Sequence, residues 1–195
     1  MSAITWAIIA LLISLNGLYV AAEFAAVSVR RSRIRQLAEE GNGLARRLLP
    51  TLREAPRLDR YNAACQVGIT ASSLILGAYG QAELAPRLTP LADRLGLDAA
   101  SAESSAAIAV LAGLTVLQMI VGELMPKSMA LQNPTRAALL SVVPMGWSLR
   151  VFAPFIWLLN GSGLLLLRLL RVPSTSHRHV HSPEEIELLI AESRD

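Results

Sequence analysis

The chain has 195 residues, of which 53% are hydrophobic and 17% charged, with a mean hydropathy of +0.44 and a formal net charge of +3. Its apolar residues form blocks longer than a soluble amphipathic helix needs, which indicates a membrane protein and excludes an ordinary water-soluble domain. The basic excess adjoins these blocks, so it indicates membrane topology rather than nucleic-acid binding, and the single cysteine, Cys65, excludes an intrachain disulfide.

The first apolar block predicts a membrane span over residues 3–29. It lacks a basic start and is longer than a signal sequence, so we expect it to stay in the membrane. At 1.5 Å per residue it exceeds a hydrocarbon core of about 30 Å, so it would tilt or break, most readily at Asn16-Gly17. Glu23, near its end, is an ionisable side chain at membrane depth.

A basic loop follows, with nine arginines against four acidic residues between Arg30 and Arg60. By the positive-inside rule this loop is cytoplasmic, which puts the N-terminus outside. Within it, residues 34–38 and 44–52 have the pattern of short amphipathic helices, separated by Gly41-Asn42-Gly43. We expect these helices to lie on the inner face of the membrane.

Residues 61–79 predict a second span. One helical face of it carries mostly small and polar residues: Gln66, Ile69, Thr70, Ser73 and Gly77. This spacing is typical of packed membrane helices and equally of the lining of a transport pathway, so both interpretations stay open. The segment that follows, residues 81–103, lacks a basic excess and predicts an outer loop with one short helix.

Residues 105–125 predict a third span, capped by Asp98 or Ser101 and ending near Lys127 at the cytoplasmic edge. A carboxylate at membrane depth costs roughly 2–3 kcal/mol on insertion scales, so Glu123 needs a partner. It either pairs with Lys127 at i,i+4 spacing or serves as a ligand for an ion or proton. A glycine before it and Pro126 after it would loosen the helix and free backbone carbonyls.

The last apolar region, residues 137–171, is interrupted by prolines and by Asn160-Gly161-Ser162-Gly163. A single crossing would leave its basic end outside, against the positive-inside rule. We therefore expect two or three helices along the inner leaflet, with a re-entrant hairpin or a fourth span as the alternative. Residues 173–195 predict a linker and an acidic helix that starts at Ser182-Pro183.

Three oxygen-bearing side chains, Glu23, Gln66 and Glu123, share one predicted depth. Each lies four to seven residues from a basic residue at the inner edge, which is roughly 6–10 Å along a helix. Oxygens presented by three helices at one level suit a hard cation such as Mg²⁺ or Na⁺. The alternative is that Glu23 and Gln66 satisfy each other, or Asn16, inside the bundle.

Four segments match a known pattern in order and spacing: residues 20–28, 33–41, 66–70 and, above all, Gly122-Glu123-Leu124-Met125-Pro126-Lys127-Ser128. They resemble the transmembrane domain of the CorC/CNNM family of magnesium transporters, over nearly the whole chain. The resemblance implies an all-α membrane protein, with three transmembrane helices plus juxtamembrane, inner-leaflet helices that form a belt, in a homodimer. The transmembrane domain would cover residues 1–172, and residues 173–195 would lead to a cytosolic pair of CBS domains, the only place where nucleotide is expected.

The family is associated with Mg²⁺ export coupled to Na⁺ entry, here across a bacterial-type inner membrane with the C-terminus cytoplasmic. The resemblance implies that oxygens from the three spans hold the metal, including those of Gly122 and Glu123. We expect Gln66, Thr70 and Glu23 to complete the metal ligands, with Ser73, Asn16 and Ser28 as a secondary polar lining. Two departures, Ala21-Ala22 where members carry serines and Gln66 within a stretch that is Gly-Asn-Asn in many members, leave the first-span ligand open.

No intramembrane enzyme is expected, because the sequence has no membrane-depth Ser/His pair and no metalloprotease motif. The alternative function is a membrane anchor or sensor for the CBS module, without transport of its own. In that case the polar groups would only hold the bundle together.

Overall fold

The computed structural model describes residues 3–94 and 98–169, and within these ranges the chain is helical without strands. The elements are α1 (Ala3–Ser28), α2 (Arg31–Glu39), α3 (Gly43–Arg53), α4 (Ala55–Arg94), α5 (Ala99–Leu117), a π-helical segment (Gln118–Leu124), α6 (Met125–Gln132), α7 (Pro134–Val151) and α8 (Ala153–Leu169). The chain divides into two compact units, Met1–Ile156 and Trp157–Asp195, and the site described below lies wholly in the first.

Three stretches are long and apolar enough to cross a membrane: α1, the α4 residues Ala55–Ala92, and the continuous run Ala99–Gln132. This finding confirms the predicted class, an all-α membrane protein with three candidate spans. α1 packs against α4 and against the third span. It is therefore the central helix of the first unit.

The predicted break at Asn16-Gly17 is wrong, because α1 is one continuous helix. Asn16 directs its side chain to other helices instead of disturbing its own backbone. Gly17 lies against the third span, where an added Cβ would be 2.9 Å from Cγ of Pro126. Both residues therefore serve the contact between helices.

The basic loop contains the two predicted amphipathic helices, α2 and α3, each slightly longer than expected. The side chain of Asn42 caps α3 by accepting from the backbone N–H groups of Leu44 and Ala45, at 3.0 and 3.1 Å. Gly41 adopts a φ of +97°, a left-handed conformation that favours glycine, and it turns the chain between the two helices. Residues of both helices are buried in the same apolar cluster as parts of α1 and α4.

The predicted outer loop over residues 81–103 is wrong for most of its length. α4 continues without interruption to Arg94, with Pro86 and Pro90 inside the helix. Ala85 is buried in one apolar cluster with residues of α1 and α5, so packing outweighs the local preference of proline to end a helix. Asp98 does cap α5, because its carboxylate accepts from the backbone N–H of Ser101 at 3.4 Å.

The third span is also continuous and extends beyond Lys127 to Gln132. The expected loosening occurs before Pro126 rather than at it, as the π-helical segment Gln118–Leu124. Pro126 is the second residue of α6 within this continuous run, so its missing N–H leaves the carbonyl of Gly122 without an α-helical donor. The helix is therefore widened over Gln118–Leu124, before Pro126, and not opened at Pro126 as predicted.

The last apolar region forms two helices, α7 and α8, separated at Phe152. Pro144 does not end α7, and the 160–163 stretch lies within α8. By length and composition the pair has the character of a broken span or a re-entrant loop, so its position in the membrane stays a prediction. The predicted linker and acidic helix at 173–195 lie outside the described residues.

Candidate functional site

Asn16 joins all three candidate spans through its side-chain amide, which is buried with 2% of its surface exposed. Its Nδ2 donates to the backbone carbonyl oxygen of Gly122 at 3.0 Å. Its Oδ1 accepts from the hydroxyls of Ser72 at 2.9 Å and Ser73 at 3.3 Å, both on α4. An acceptor on one side and two donors on the other fix the orientation of this amide.

Gly122 supplies a carbonyl that its own helix does not satisfy in the α-helical way. Pro126, four residues later, has no N–H to donate to it. The carbonyl therefore accepts from Asn16 across the helix interface. A Cβ added at Gly122 would lie 3.3 Å from Asn16 Nδ2 and 3.4 Å from the carbonyl oxygen of Ile13, so glycine permits this close approach.

The serine hydroxyls have a second set of acceptors within α4. Ser72 Oγ also lies 2.8 Å from the carbonyl oxygen of Gly68, and Ser73 Oγ lies 2.7 Å from that of Ile69. Each hydroxyl has one proton, so it donates either to Asn16 or to its own helix at a given moment. Gln118 Nε2 donates to Ser73 Oγ and extends the network to the π-helical segment.

Glu23 of α1 and Gln66 of α4 form a second polar pair. Glu23 follows Asn16 by seven residues along α1. The half-buried Glu23 side chain is hydrogen bonded to Gln66, which is otherwise exposed. The side chains of Glu23 and Gln66 thus lie close together, as both interpretations of the sequence require. Thr70, one turn along α4 from Gln66, is exposed, and Ser28 is half-buried at the end of α1.

Glu123 stands apart from both groups. Its side chain is exposed, and within the described ranges it makes no hydrogen bond or ion pair. The proposed pairing with Lys127 does not form; Lys127 Nζ instead lies 4.4 Å from the centroid of the Phe24 ring, a cation–π contact. Depth along a helix was predicted from the sequence, but the direction of the Glu123 side chain was not.

The sequence of the chain matches a known family of membrane domains. The profile of the cyclin M (CNNM) transmembrane N-terminal domain matches residues 7–195, nearly the whole chain. The chain belongs to this family. The resemblance inferred from the Gly122–Ser128 motif is confirmed.

The relatives of this CNNM domain are longer bacterial proteins. It is 42% identical over 188 residues to the UPF0053 protein YhdT of Bacillus subtilis, covering 95% of this chain and 40% of that protein. It is 36% identical over 187 residues to YhdP of the same organism, covering 95% and 41%. A protein of Haemophilus influenzae named polyamine export protein is 27% identical over 166 residues, covering 85% and 37%. The chain thus spans about two fifths of the length of these relatives.

The network at Asn16 in this CNNM domain consists of neutral amide, hydroxyl and backbone carbonyl groups. Among the residues that the structure describes, no three His, Cys, Asp or Glu side chains lie close enough together to hold a metal ion. Amide, hydroxyl and backbone carbonyl groups are ligands suited to hard cations, not to zinc or copper.

Ser72 and Gln118 are the members of the network that the sequence interpretation missed. Gln118 continues a row of buried residues spaced by four along the third span: Ala102, Ala106, Val110 and Leu114 before it and Gly122 after it. That spacing was available in the sequence and predicts that Gln118 faces the bundle. Ser72 could have been found from its neighbour Ser73, since both follow Gly68 by about one turn.

Proposed function

We propose that this CNNM domain transports Mg²⁺, exporting it in exchange for Na⁺ entry. The observation that carries the proposal is the convergence of oxygens from three spans at Asn16, including a Gly122 carbonyl that Pro126 leaves without its α-helical donor. Mg²⁺ and Na⁺ both prefer such oxygens, and Mg²⁺ commonly keeps several waters while it binds one or two carboxylates. Membership of the CNNM family supports transport as the role of the domain.

In the described conformation the Asn16 N–H₂ group donates a hydrogen bond to the Gly122 carbonyl oxygen. This hydrogen bond would exclude a cation from that oxygen. Turning the amide by half a rotation would put Oδ1 beside that carbonyl, so that two oxygens face the same point. The Asn16 N–H₂ group would then face Ser72 and Ser73, whose hydroxyls can donate to the carbonyls of α4 instead. With a cation bound between them, Asn16 Oδ1 and the Gly122 carbonyl would both keep a partner. Without the cation the turn would leave these two buried oxygens without a donor, so it would accompany ion binding.

Charge for a divalent ion would come from the carboxylates near this network. Glu123 follows Gly122 in the sequence, and Glu23 with Gln66 lies two turns along α1. We propose that the Glu123 carboxylate binds the cation together with the Gly122 carbonyl. Glu23, Gln66 and Thr70 would form a second cation position on the pathway.

The membrane context is proposed on the same basis. The arginine-rich α2 and α3 would face the cytoplasm of a bacterial-type cell, with the N-terminus outside. A homodimer and a following cytosolic CBS module are expected from the family resemblance. The relatives extend well beyond the matched region, which leaves room for such a module.

Export of a polyamine is a second candidate, favoured by the name of the Haemophilus influenzae relative. A linear organic cation would need separated carboxylates rather than close inner-sphere oxygens. Glu23 and Glu123, on different spans, could contact amino groups in that way. An anchor without transport is the third alternative.

Flux measurements in proteoliposomes separate these functions. The purified protein is reconstituted with an internal Mg²⁺ indicator, and uptake of Mg²⁺ or spermidine is measured with and without a Na⁺ gradient. We expect Na⁺-dependent Mg²⁺ flux, lowered at least about tenfold by Glu123→Gln and by Asn16→Leu, which corresponds to about 1.4 kcal/mol.

Glu103→Gln is the matched control, since Glu103 is an exposed glutamate on the same span, five helical turns from the site. It should leave the flux unchanged. Spermidine flux without Mg²⁺ flux would support the second candidate. A folded wild-type protein that moves neither cation would contradict transport and leave the anchor.

A further inference from the structure

A cavity of about 470 Å³ lies between α3, the start of α4 and α7, outside the polar network of the spans. Arg47 and Thr51 of α3 line one side of it, and Trp147 and Arg150 of α7 line the other. Tyr61 of α4 lies at its wall, with its hydroxyl already paired with that of Ser141 at 3.1 Å. Two exposed arginines from different helices thus line one partly open cavity.

Neither of these arginines has an acidic partner within residues 3–94 and 98–169. Among the described residues, the ion pairs are Arg57 with Glu54 and Arg87 with Glu83, and no Asp or Glu lines the cavity. The guanidinium of Arg150 lies 5.6 Å from the centroid of the Trp147 ring, a contact that holds its side chain without neutralising its charge. The cavity therefore carries an uncompensated charge of about +2.

Two further groups give the cavity a ligand-binding character. The half-buried hydroxyl of Thr51 makes no hydrogen bond within the described part of the chain, so it is available as a donor. Gly146 also lines the cavity, and an added Cβ there would meet no atom within 4 Å. The space beside Gly146 is thus open rather than filled by protein.

The chemistry of these groups matches a phosphate group. Arginine presents a planar fork of N–H donors that binds phosphate oxygens in pairs, and a hydroxyl adds a third donor. The basic loop connects the end of α1 to the start of α4, and the cavity lies at this same end of the spans. Val143 and Trp147, 48% and 65% exposed, flank it with apolar surface suited to acyl chains.

We propose that this cavity binds the phosphate group of an anionic membrane lipid. Arg47 and Arg150 contact the phosphate oxygens, Thr51 donates to one of them, and Trp147 contacts the upper part of the acyl chains. The site is independent of the proposed cation pathway, because none of its residues belongs to the network at Asn16.

Native mass spectrometry of the detergent-purified full chain tests this site. The probes are phosphatidylglycerol, phosphatidylcholine and inorganic phosphate, each added at the same concentration. We expect wild type to retain phosphatidylglycerol in preference to phosphatidylcholine, and the Arg47→Gln/Arg150→Gln variant to lose about nine tenths of that bound lipid. The matched control is Arg35→Gln/Arg53→Gln, which removes the same charge from exposed positions of α2 and α3 outside the cavity and should bind as wild type does.

A second variant tests the cavity itself without changing its charge. Gly146→Leu places a side chain in the open space, so it should reduce lipid retention while the melting temperature stays near that of wild type. The proposal is overturned if the Arg47/Arg150 variant or Gly146→Leu, still folded, retains phosphatidylglycerol as wild type does. It is also overturned if the control variant loses the lipid equally. Displacement of the lipid by equimolar inorganic phosphate would assign the site to soluble phosphate and overturn the lipid source.

Discussion

Replacement of Gly68 by alanine should destabilise the bundle through one rigid contact. A Cβ at this position would lie 2.5–2.6 Å from three atoms of the Tyr19 ring, closer than real Cβ contacts allow. The ring cannot move away easily, because its hydroxyl is hydrogen bonded to Ser148 at 2.9 Å and its centroid lies 6.1 Å from that of the tilted Phe152 ring. The strain must therefore be taken up by separation of α1 from α4.

Overpacking of this kind costs about 1–3 kcal/mol. The appropriate reference is Gly113→Ala, since an added Cβ at Gly113 meets no atom within 4 Å and the substitution only improves helix propensity, by about 0.5–1 kcal/mol. Gly80→Ala is a useful intermediate case. Its closest contact is the end of the flexible Leu114 side chain, which can rotate, so its cost should be smaller than that of Gly68→Ala.

The free energy of unfolding of these variants can be compared by titration with SDS in mixed micelles. We expect the order Gly113→Ala, Gly80→Ala, Gly68→Ala from most to least stable. Tyr19→Leu should restore part of the loss in a Gly68→Ala background, because the two positions are in contact and their effects are not additive. Equal stability of Gly68→Ala and Gly113→Ala, or strict additivity with Tyr19→Leu, would refute the contact as described.

Three further predictions concern single groups. Asn42→Ala removes the cap of α3 and should cost about 1 kcal/mol, measured by the same titration, whereas Asn42→Asp should keep most of the stability. Pro126→Ala restores an N–H that can donate to the Gly122 carbonyl, so the amide signal of Asn16 in NMR spectra should shift; an unchanged signal would contradict the competition. Hydrogen bonds from the Ser101 side chain and backbone hold the pKa of Asp98 below its usual range, so the cap stabilises α5 above that range and is lost as the pH falls through the lowered pKa. Hydrogen exchange at the Ser101 amide should therefore be slower in wild type than in Asp98→Ala above that pKa and equal in the two below it. Identical exchange in wild type and Asp98→Ala at neutral pH would refute the cap.

Hydropathy and charge were sufficient to predict the three spans and the two helices of the basic loop, because burial in lipid acts on whole segments. They were insufficient where tertiary packing overrides a local preference. Pro86 and Pro90 predicted a loop, but the helix continues past both of them. Asn16-Gly17 predicted a break for a similar reason, although both residues face neighbouring helices.

The sequence predicted the depth of the candidate site residues along their helices, but only partly which of them lie next to one another. Residues at one level of three helices need not face one another, since each step along a helix turns the side chain by about 100°. Glu23 and Gln66 do meet, whereas Glu123 faces outward and Thr70 remains exposed. Asn16, expected only as secondary lining, is the residue that connects the spans, because its contacts depend on a carbonyl that no side-chain pattern reveals.

The π-helical segment has a mechanical consequence for Glu123. A π-helical turn holds an extra residue, so its return to α-helical winding would rotate the part of the span beyond it relative to the part before it, by about one residue step. That step is the angle between Gly122 and Glu123, so such a rotation would change the direction of the Glu123 carboxylate by about 100°. The span would then turn its carboxylate toward or away from the neighbouring helices. If the labelling rate of Glu123→Cys is the same with and without Mg²⁺, this motion is excluded.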